Sequence, residues 1–260
     1  MFSDTFTLAV QLCTLRSVDL PLPELFRRVA EIGYTGVETF MFGPPEIPAD
    51  RLYALLEKHG LRVVSAGIAL DEFERDLDGV IAYHKALHTD TFTVPWIPEE
   101  RRAVDLDGWL EWGCTLDKLG SRCAGAGMRL LYHNHDYEMI VISGKTVLEW
   151  LLDTASPAHL GLEFDIAWAI KGDADAVALL HKYAGRCPRV HVRDLIETDH
   201  GLDGGDVGYG VLEWDPLLSA MRLADVECIV VEHDTTLTPL ESIQRSYEYL
   251  HQRLGQESWN

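Results

Sequence analysis

Residues 227–232 of the chain read Glu-Cys-Ile-Val-Val-Glu, an apolar run closed at both ends by acidic side chains. A strand with one face in water alternates between apolar and polar residues, whereas this run stays apolar through its centre. Such a run is typical of a parallel strand whose sheet is covered by helices on both faces. Patterns with helical periodicity flank it at 214–222 and 240–254. The stretch therefore predicts an α/β fold.

The same alternation of a short β-branched run with a longer helical pattern recurs along the chain. Eight strands are predicted, at Thr7–Leu12, Gly36–Glu38, Arg62–Ala66, Thr91–Val94, Arg129–Asn134, Leu160–Asp165, Val190–Arg193 and Glu227–Glu232. Eight helices are predicted, at Leu22–Ile32, Ala49–His59, Phe73–Leu87, Leu106–Ala126, Thr146–Thr154, Ala174–Tyr183, Trp214–Arg222 and Leu240–Leu254. Eight β/α units in about 250 residues is the usual size of a (β/α)8, or TIM, barrel. We therefore expect one barrel domain over residues 1–260.

A doubly wound sheet is the alternative fold for alternating strands and helices. Such a sheet normally carries a glycine-rich turn after its first strand. Here the first strand leads into Gln11–Arg16, which contains no glycine. The barrel is therefore preferred.

Composition and charge exclude several classes of partner. The chain holds 42 acidic and 22 basic residues, a formal net charge of -20. This charge disfavours binding to nucleic acid or to an anionic membrane, because the protein would repel both. No run approaches the roughly 18 apolar residues of a membrane span, and the first residues do not resemble a signal peptide. Five cysteines without a CxxC pair suggest a reducing compartment, so we expect a cytoplasmic protein.

Polar and ionisable residues gather where the predicted strands end. In a TIM barrel the catalytic residues lie at the carboxyl ends of the strands. The residues at those ends are Glu38; His133, His135 and Glu138; Glu163 and Asp165; His191, Arg193 and Asp194; and Glu232, His233 and Asp234. Converging carboxylates and imidazoles would carry a high cost if buried unpaired. A bound divalent cation, Mn²⁺, Mg²⁺, Co²⁺ or Zn²⁺, would make them ligands.

Taken singly, each of these residues could serve a structural role. Asp165 and Glu232 could form ion pairs or cap a helix, and His191 could be a hydrogen-bonded core residue. Arg193 could pair with its neighbour Asp194. Glu38 could cap a helix or bind substrate. Their coincidence at one end of the barrel favours the metal site.

Two further features concern the substrate. Trp96 and Trp168 follow strand ends and could stack on a sugar ring or pack at the barrel rim. The glycine-rich stretch 204–210 could cradle a phosphate, but we favour a flexible loop that covers the substrate. The chain has no GxSxG or HExxH motif.

Taken in order, six segments resemble the sugar phosphate isomerase/epimerase family, whose members are xylose isomerase-like barrels. The segments are residues 8–16 (LAVQLCTLR), 33–38 (GYTGVE), 132–138 (YHNHDYE), 164–169 (FDIAWA), 191–194 (HVRD) and 231–234 (VEHD). The resemblance spans nearly the whole chain. Relatives include inosose dehydratases, ketose 3-epimerases, hydroxypyruvate isomerases and DNA-repair endonucleases.

The resemblance implies a divalent metal, with manganese favoured, held by Asp165, His191 and Glu232. On the fifth strand many relatives have a glutamate ligand, whereas the matching residue here is His133. We expect His133 to take that ligand position, although Glu138 could fold in or the metal could be weak or absent. Arg193 stands where relatives usually have lysine, and Ser65–Gly67 lacks a histidine that many relatives carry.

The function that follows is proton transfer next to the carbonyl of a sugar, keto-sugar or inosose through an enediolate, giving isomerisation or epimerisation. We expect Glu232 and Glu138 to act as base and acid, with His135 as the other candidate. Glu38, Trp168 and Arg193 are the expected substrate contacts. A dehydratase reaction on the same site is the alternative. A metal-dependent DNA-repair phosphodiesterase and a non-catalytic binding subunit are less favoured functions. Barrels of this family often form dimers, so a homodimer is also considered.

Overall fold

The computed structural model describes residues 6–40 and 47–255, and in it eight parallel strands close into a barrel. The strands are β1 Thr7–Gln11, β2 Gly36–Thr39, β3 Arg62–Gly67, β4 Thr91–Val94, β5 Arg129–His133, β6 Gly161–Asp165, β7 Arg189–Val192 and β8 Cys228–Val231. Each strand pairs with its neighbours in sequence, and β8 pairs with β1 to close the ring. The predicted (β/α)8 barrel is confirmed.

Nine α-helices lie in the described part of the chain. They are α1 Leu22–Ile32, α2 Ala49–Glu57, α3 Leu70–Ala86, α4 Leu106–Gly125, α5 Val147–Thr154, α6 Ile166–Lys171, α7 Ala176–Lys182, α8 Trp214–Leu223 and α9 Pro239–Gly255. Eight of them correspond to predicted helices. The short helix α6 was not predicted. It follows β6 directly, and the Asp165 carboxylate accepts a hydrogen bond from the Trp168 backbone N–H at its start.

The barrel interior has an apolar lower layer and a polar upper layer. Ala9, Val64, Cys228 and Val230 form a small buried cluster of their own. Side chains two residues apart on a strand share a face, so Gln11 and Glu232 follow Ala9 and Val230 towards the carboxyl ends of the strands. The larger apolar cluster joins the outer faces of the strands to the helices. The strand period therefore brings the polar residues together at one end of the barrel.

Residues 204–210 form an anchored segment, which differs from the expected flexible loop. Residues 201–205 pair with 194–198 in an antiparallel hairpin. The Asp194 carboxylate accepts hydrogen bonds from the backbone N–H groups of Gly208 and Leu212 and from the indole of Trp214. Asp194 is thus fully occupied in holding the segment that leads into α8. Asp194 does not pair with Arg193, because both of its carboxylate oxygens accept hydrogen bonds from these donors.

No helix in the described ranges combines the length and apolar character needed to cross a membrane. The expectation of one domain extends to residues 1–5, 41–46 and 256–260, which lie outside the described residues. It stays a prediction, as do the cytoplasmic location and the homodimer.

Candidate metal centre

A cavity of about 220 Å³ opens at the carboxyl ends of the barrel strands. Six of the residues expected to act at the site line it: Glu38, His133, His135, Trp168, His191 and Glu232. The other lining residues are Gln11, Cys13, Arg16, Phe40, Gly67, Thr93, Pro95, Trp96, Glu163 and Asp234. Three expected residues, Glu138, Asp165 and Arg193, are buried next to the cavity without lining it. None of residues 204–210 lines the cavity, and their expected role in covering the substrate stays a prediction.

Four side chains in this region meet at one point. His133 ends β5, Asp165 ends β6, His191 lies in β7 and Glu232 directly follows β8. One nitrogen or oxygen atom from each lies within 4.8 Å of the corresponding atoms of the other three. All four side chains are buried, with at most 8 % exposure. The sequence had placed these four residues together as metal ligands, and the structure brings them together.

Unpaired atoms in the cluster fit a cation. Neither His133 Nδ1 nor Asp165 Oδ2 has a hydrogen-bond partner, although Arg193 Nη1 lies 3.3 Å from Asp165 Oδ2. His133 Nε2 and Asp165 Oδ2 are 4.0 Å apart. This distance is too long for a hydrogen bond and is about twice a metal–ligand bond of roughly 2.0–2.2 Å. Two imidazoles and two carboxylates are a donor set that zinc, manganese and cobalt all accept.

The charge balance in the cluster also fits a cation. Burial, followed by the negative charge of Glu232, raises the pKa of Asp165 to about 6, against the opposing charge of Arg193. Burial and the negative charge of Glu38 raise the pKa of Glu163 to about 7. Both carboxyl groups thus retain protons more readily than exposed ones. A divalent cation would stabilise their ionised forms.

His191 contacts carboxylates through both ring nitrogens. Nδ1 lies 2.9 Å from Glu232 Oε2, and Nε2 lies 2.9 Å from Glu38 Oε1 and 3.0 Å from Glu163 Oε1. Burial opposes the charged imidazolium, but the three carboxylates outweigh it and raise the pKa of His191 well above its ordinary value. The Glu38 carboxylate caps no helix, because its partners are Gln11, Ser65 and His191.

Arg193 lies behind the carboxylates. Its Nη1 atom is 3.3 Å from Asp165, 3.5 Å from Glu232 and 3.2 Å from Asp234. Its guanidinium group also packs over the Trp168 ring, 5.0 Å from the ring centroid. Arg193 therefore contacts the carboxylates of Asp165 and Glu232 and the ring of Trp168, but it does not line the cavity.

Glu138 and His135 are joined by a hydrogen bond but differ in access to the cavity. Glu138 is fully buried, and its carboxylate accepts hydrogen bonds from the Tyr132 hydroxyl and, at 2.8 Å, from the His135 backbone N–H. Burial raises the pKa of Glu138 to about 7. His135 lines the cavity, and its Nδ1 atom has no hydrogen-bond partner. Burial, more than any nearby charge, lowers the pKa of His135 to about 4, so the imidazole is neutral at pH 7.

Residues 26–253 match the family model of the xylose isomerase-like TIM barrel. The chain belongs to this family. An inosose dehydratase of Geobacillus kaustophilus (strain HTA426) is 25% identical over 193 residues, which cover 66% of this chain and 61% of that protein. The match thus spans about three fifths of the length of this curated relative.

Two solved structures share the fold of this chain. A sugar phosphate isomerase/epimerase from Parabacteroides distasonis ATCC 8503 superposes with a TM-score of 0.79 at 20% identity, covering 94% of this chain and 92% of that chain. The IOLI protein with a bound zinc atom superposes with a TM-score of 0.77 at 16% identity, covering 98% of this chain and 100% of that chain.

Several residues of this xylose isomerase-like site were not assigned from the sequence. Glu163 was among the strand-end residues expected to converge but was assigned no role of its own. Cys13 donates its Sγ–H to Glu232 Oε1 at 3.1 Å, and the Thr93 hydroxyl donates to Glu163 Oε2 at 2.9 Å. The strand period could have indicated Glu163. Nothing in the sequence separates Cys13 and Thr93 from ordinary core residues.

Proposed function

We propose that this chain is a divalent-metal-dependent enzyme that moves a proton at a carbon next to the carbonyl of an uncharged keto-sugar or inosose. The observation that carries the proposal is the convergence of His133, Asp165, His191 and Glu232 within 4.8 Å, beside an open cavity at the barrel's catalytic end. A bound cation would add to Arg193 in offsetting the cost of burying the carboxylates of Asp165 and Glu232.

The four converging residues would hold the metal. When bound, a divalent cation polarises the substrate carbonyl and its neighbouring hydroxyl, which stabilises an enediolate. Manganese is the expectation from the family resemblance, and zinc is the metal in the IOLI structure. The donor set fits both metals, so both belong in any reconstitution.

Glu232 is our candidate for the base. Its carboxylate lines the cavity beside the converging residues, where it can reach a proton on a bound substrate. His135, which is neutral and lines the cavity, is our candidate for relaying a solvent proton to the substrate. Glu138 holds the His135 backbone from behind and is proposed as a positioning residue, in place of the acid expected from the sequence.

The lining residues favour an uncharged polyol over a sugar phosphate. Four carboxyl groups line the cavity, those of Glu38, Glu163, Glu232 and Asp234. Among the described lining residues Arg16 alone has a permanent positive charge, and its guanidinium already donates to the carbonyls of Cys13 and Asp234. A phosphate would therefore meet net negative charge. Aromatic rings of Phe40, Trp96 and Trp168 on the same surface suit the apolar face of a sugar.

The enediolate has two fates in such a site. If His135 returns a proton to the same carbon from the other face or to the neighbouring carbon, the product is an epimer or an isomer. If the bond from the β carbon to its hydroxyl breaks and the abstracted proton goes to that oxygen, one water leaves and an unsaturated ketone remains. The similarity to inosose dehydratases favours keeping this lyase reaction as the second candidate.

Incubation with ketohexoses and inososes in D₂O tests the proposal. We expect the protein loaded with Mn²⁺ or Zn²⁺ to incorporate deuterium at the carbon next to the carbonyl, detected by NMR. Mass spectrometry separates the two fates, because only the lyase reaction releases water. Glu232→Gln should abolish the exchange, whereas the surface variant Glu57→Gln should retain it. Metal-loaded protein that exchanges no deuterium into any of these substrates would refute the proposal.

A further inference from the structure

Two further carboxylates lie beside the metal cluster on the inner surface of the barrel. Glu38 comes from β2 and Glu163 from β6, and both side chains are nearly fully buried. They approach the same atom, His191 Nε2, at 2.9 and 3.0 Å. Strand β6 is paired with β7 in the barrel whereas β2 is not, so the two carboxylates reach His191 from different directions.

The other oxygens of the two carboxylates already have protein donors. Glu38 Oε2 accepts from the Ser65 hydroxyl and Glu163 Oε2 accepts from the Thr93 hydroxyl, while the Gln11 amide donates to Glu38 Oε1, the oxygen that faces His191. These donors come from β1, β3 and β4. Together with β2 and β6, which carry the two glutamates, five strands hold the pair in place. Glu163 Oε1, which faces His191, has no hydrogen-bond partner of its own. A second cation between Glu38, Glu163 and His191 would have to displace the hydrogen bonds that Glu38 already makes.

The position of the pair determines which nitrogen of His191 can bind a metal. Carboxylates accept hydrogen bonds, and Nε2 faces two of them whereas Nδ1 faces only Glu232, so a single ring proton is favoured on Nε2. The opposite nitrogen, Nδ1, faces Glu232 within the four-residue cluster. A histidine ligand needs a bare nitrogen towards the metal and commonly donates its other N–H to a carboxylate.

The geometry assigns Glu38 and Glu163 as positioning residues of the metal centre, which keep the proton of His191 on Nε2 and direct Nδ1 towards His133, Asp165 and Glu232. The inference rests on the proposed function, because it requires the cluster to bind a cation. It adds a positioning role for Glu38, whose expected substrate contact stays a prediction because the side chain lines the cavity, and it gives Glu163 a specific role.

Metal affinity and the ring tautomer together test this assignment. The variants are Glu38→Gln, Glu163→Gln and the milder Thr93→Val, which leaves both carboxylates in place but removes one donor. Glu57→Gln, exposed on α2, is the matched surface control. Each protein is titrated with Mn²⁺ and with Zn²⁺ against a competing chelator, and thermal unfolding establishes that each variant folds. NMR of protein labelled with ¹⁵N-histidine reports which nitrogen of His191 carries the proton.

We expect Glu38→Gln and Glu163→Gln each to weaken metal binding by about 10–100-fold, as is typical when the partner of a ligand is removed. Thr93→Val should weaken it less, and Glu57→Gln should bind like the wild type. In the zinc-loaded wild type, the Nε2 atom of His191 should be protonated, and this preference should weaken in the two glutamine variants.

Two results would overturn the assignment alone, and a third would remove the proposed function on which it rests. One is wild-type affinity and an unchanged tautomer in both folded glutamine variants. Another is a wild-type protein that binds two metal ions and loses one of them in Glu163→Gln, which would make the pair a ligand set. The third, a wild-type protein that binds neither metal, would instead remove the proposed function itself, so the two failures are distinguishable.

Discussion

Glu138→Gln should change how the stability of the protein depends on pH. The Glu138 carboxyl is fully buried between the Tyr132 hydroxyl and the His135 backbone N–H. A glutamine has the shape of a protonated glutamic acid: its amide N–H can donate to the tyrosine oxygen while its carbonyl accepts from His135. The variant therefore mimics the protonated state and cannot ionise.

The size of the effect follows from the pKa. Burial raises the pKa of Glu138 from 4.5 to about 7. Between these two values the unfolded chain has lost the proton and the folded chain still holds it, so the free energy of unfolding falls as pH rises through this window. At about 1.4 kcal/mol per pH unit, the wild type should lose about 3 kcal/mol relative to Glu138→Gln between pH 4.5 and pH 7.

Urea unfolding of both proteins at several pH values from 4.5 to 8.5 measures the effect. All other titrating groups are shared, so they cancel in the difference between the two free energies of unfolding. The difference should favour the variant progressively as pH rises and should become constant above about pH 7.5. A difference independent of pH, or one that favours the wild type at high pH, would refute a raised pKa at Glu138.

Two other side chains give separate predictions. Asp194→Ala should lower the free energy of unfolding in urea by about 3 kcal/mol, because it leaves the buried Trp214 indole N–H and the half-buried Gly208 N–H without an acceptor. Asp199→Ala, exposed on the same hairpin, should change it by less than about 0.5 kcal/mol. A small loss in Asp194→Ala would mean that the segment after the hairpin is not held as described. Trp168→Ala should raise KM for the keto-sugar substrate about tenfold with a smaller change in kcat, since the ring would contribute stacking. An unchanged KM would place Trp168 in rim packing instead.

The barrel was predictable from regular periods, and the choice of His133, Asp165, His191 and Glu232 as a candidate metal cluster came from the family resemblance. Apolar runs bounded by helical patterns located all eight strands to within about two residues. The period of two on each strand then placed Asp165 and His191 at the cavity end. The ligand atoms come from four different strands, and barrel closure alone brings them together.

The parts that could not be predicted depend on tertiary packing. Glu138 is the nearest glutamate to the fifth strand in sequence, but the turn at residues 137–139 carries it behind His135 and away from the cavity. The hairpin at 194–205 contains five residues in each strand, but its glycines and acidic residues are typical of a loop and do not predict strands. Side-chain partners such as Cys13 for Glu232 join residues far apart in the chain, and no local pattern marks them.

Metal content of the freshly purified, undialysed protein, measured by elemental mass spectrometry, is the most direct test of the metal centre. We expect close to one equivalent of manganese, zinc, cobalt or magnesium in the wild type and in the surface variant Glu57→Gln. Asp165→Ala and His191→Ala should both lose it while remaining folded, because each removes one of the four converging ligands. A wild-type protein that contains no metal and takes up none from added salts would contradict the metal centre and favour a non-catalytic binding subunit.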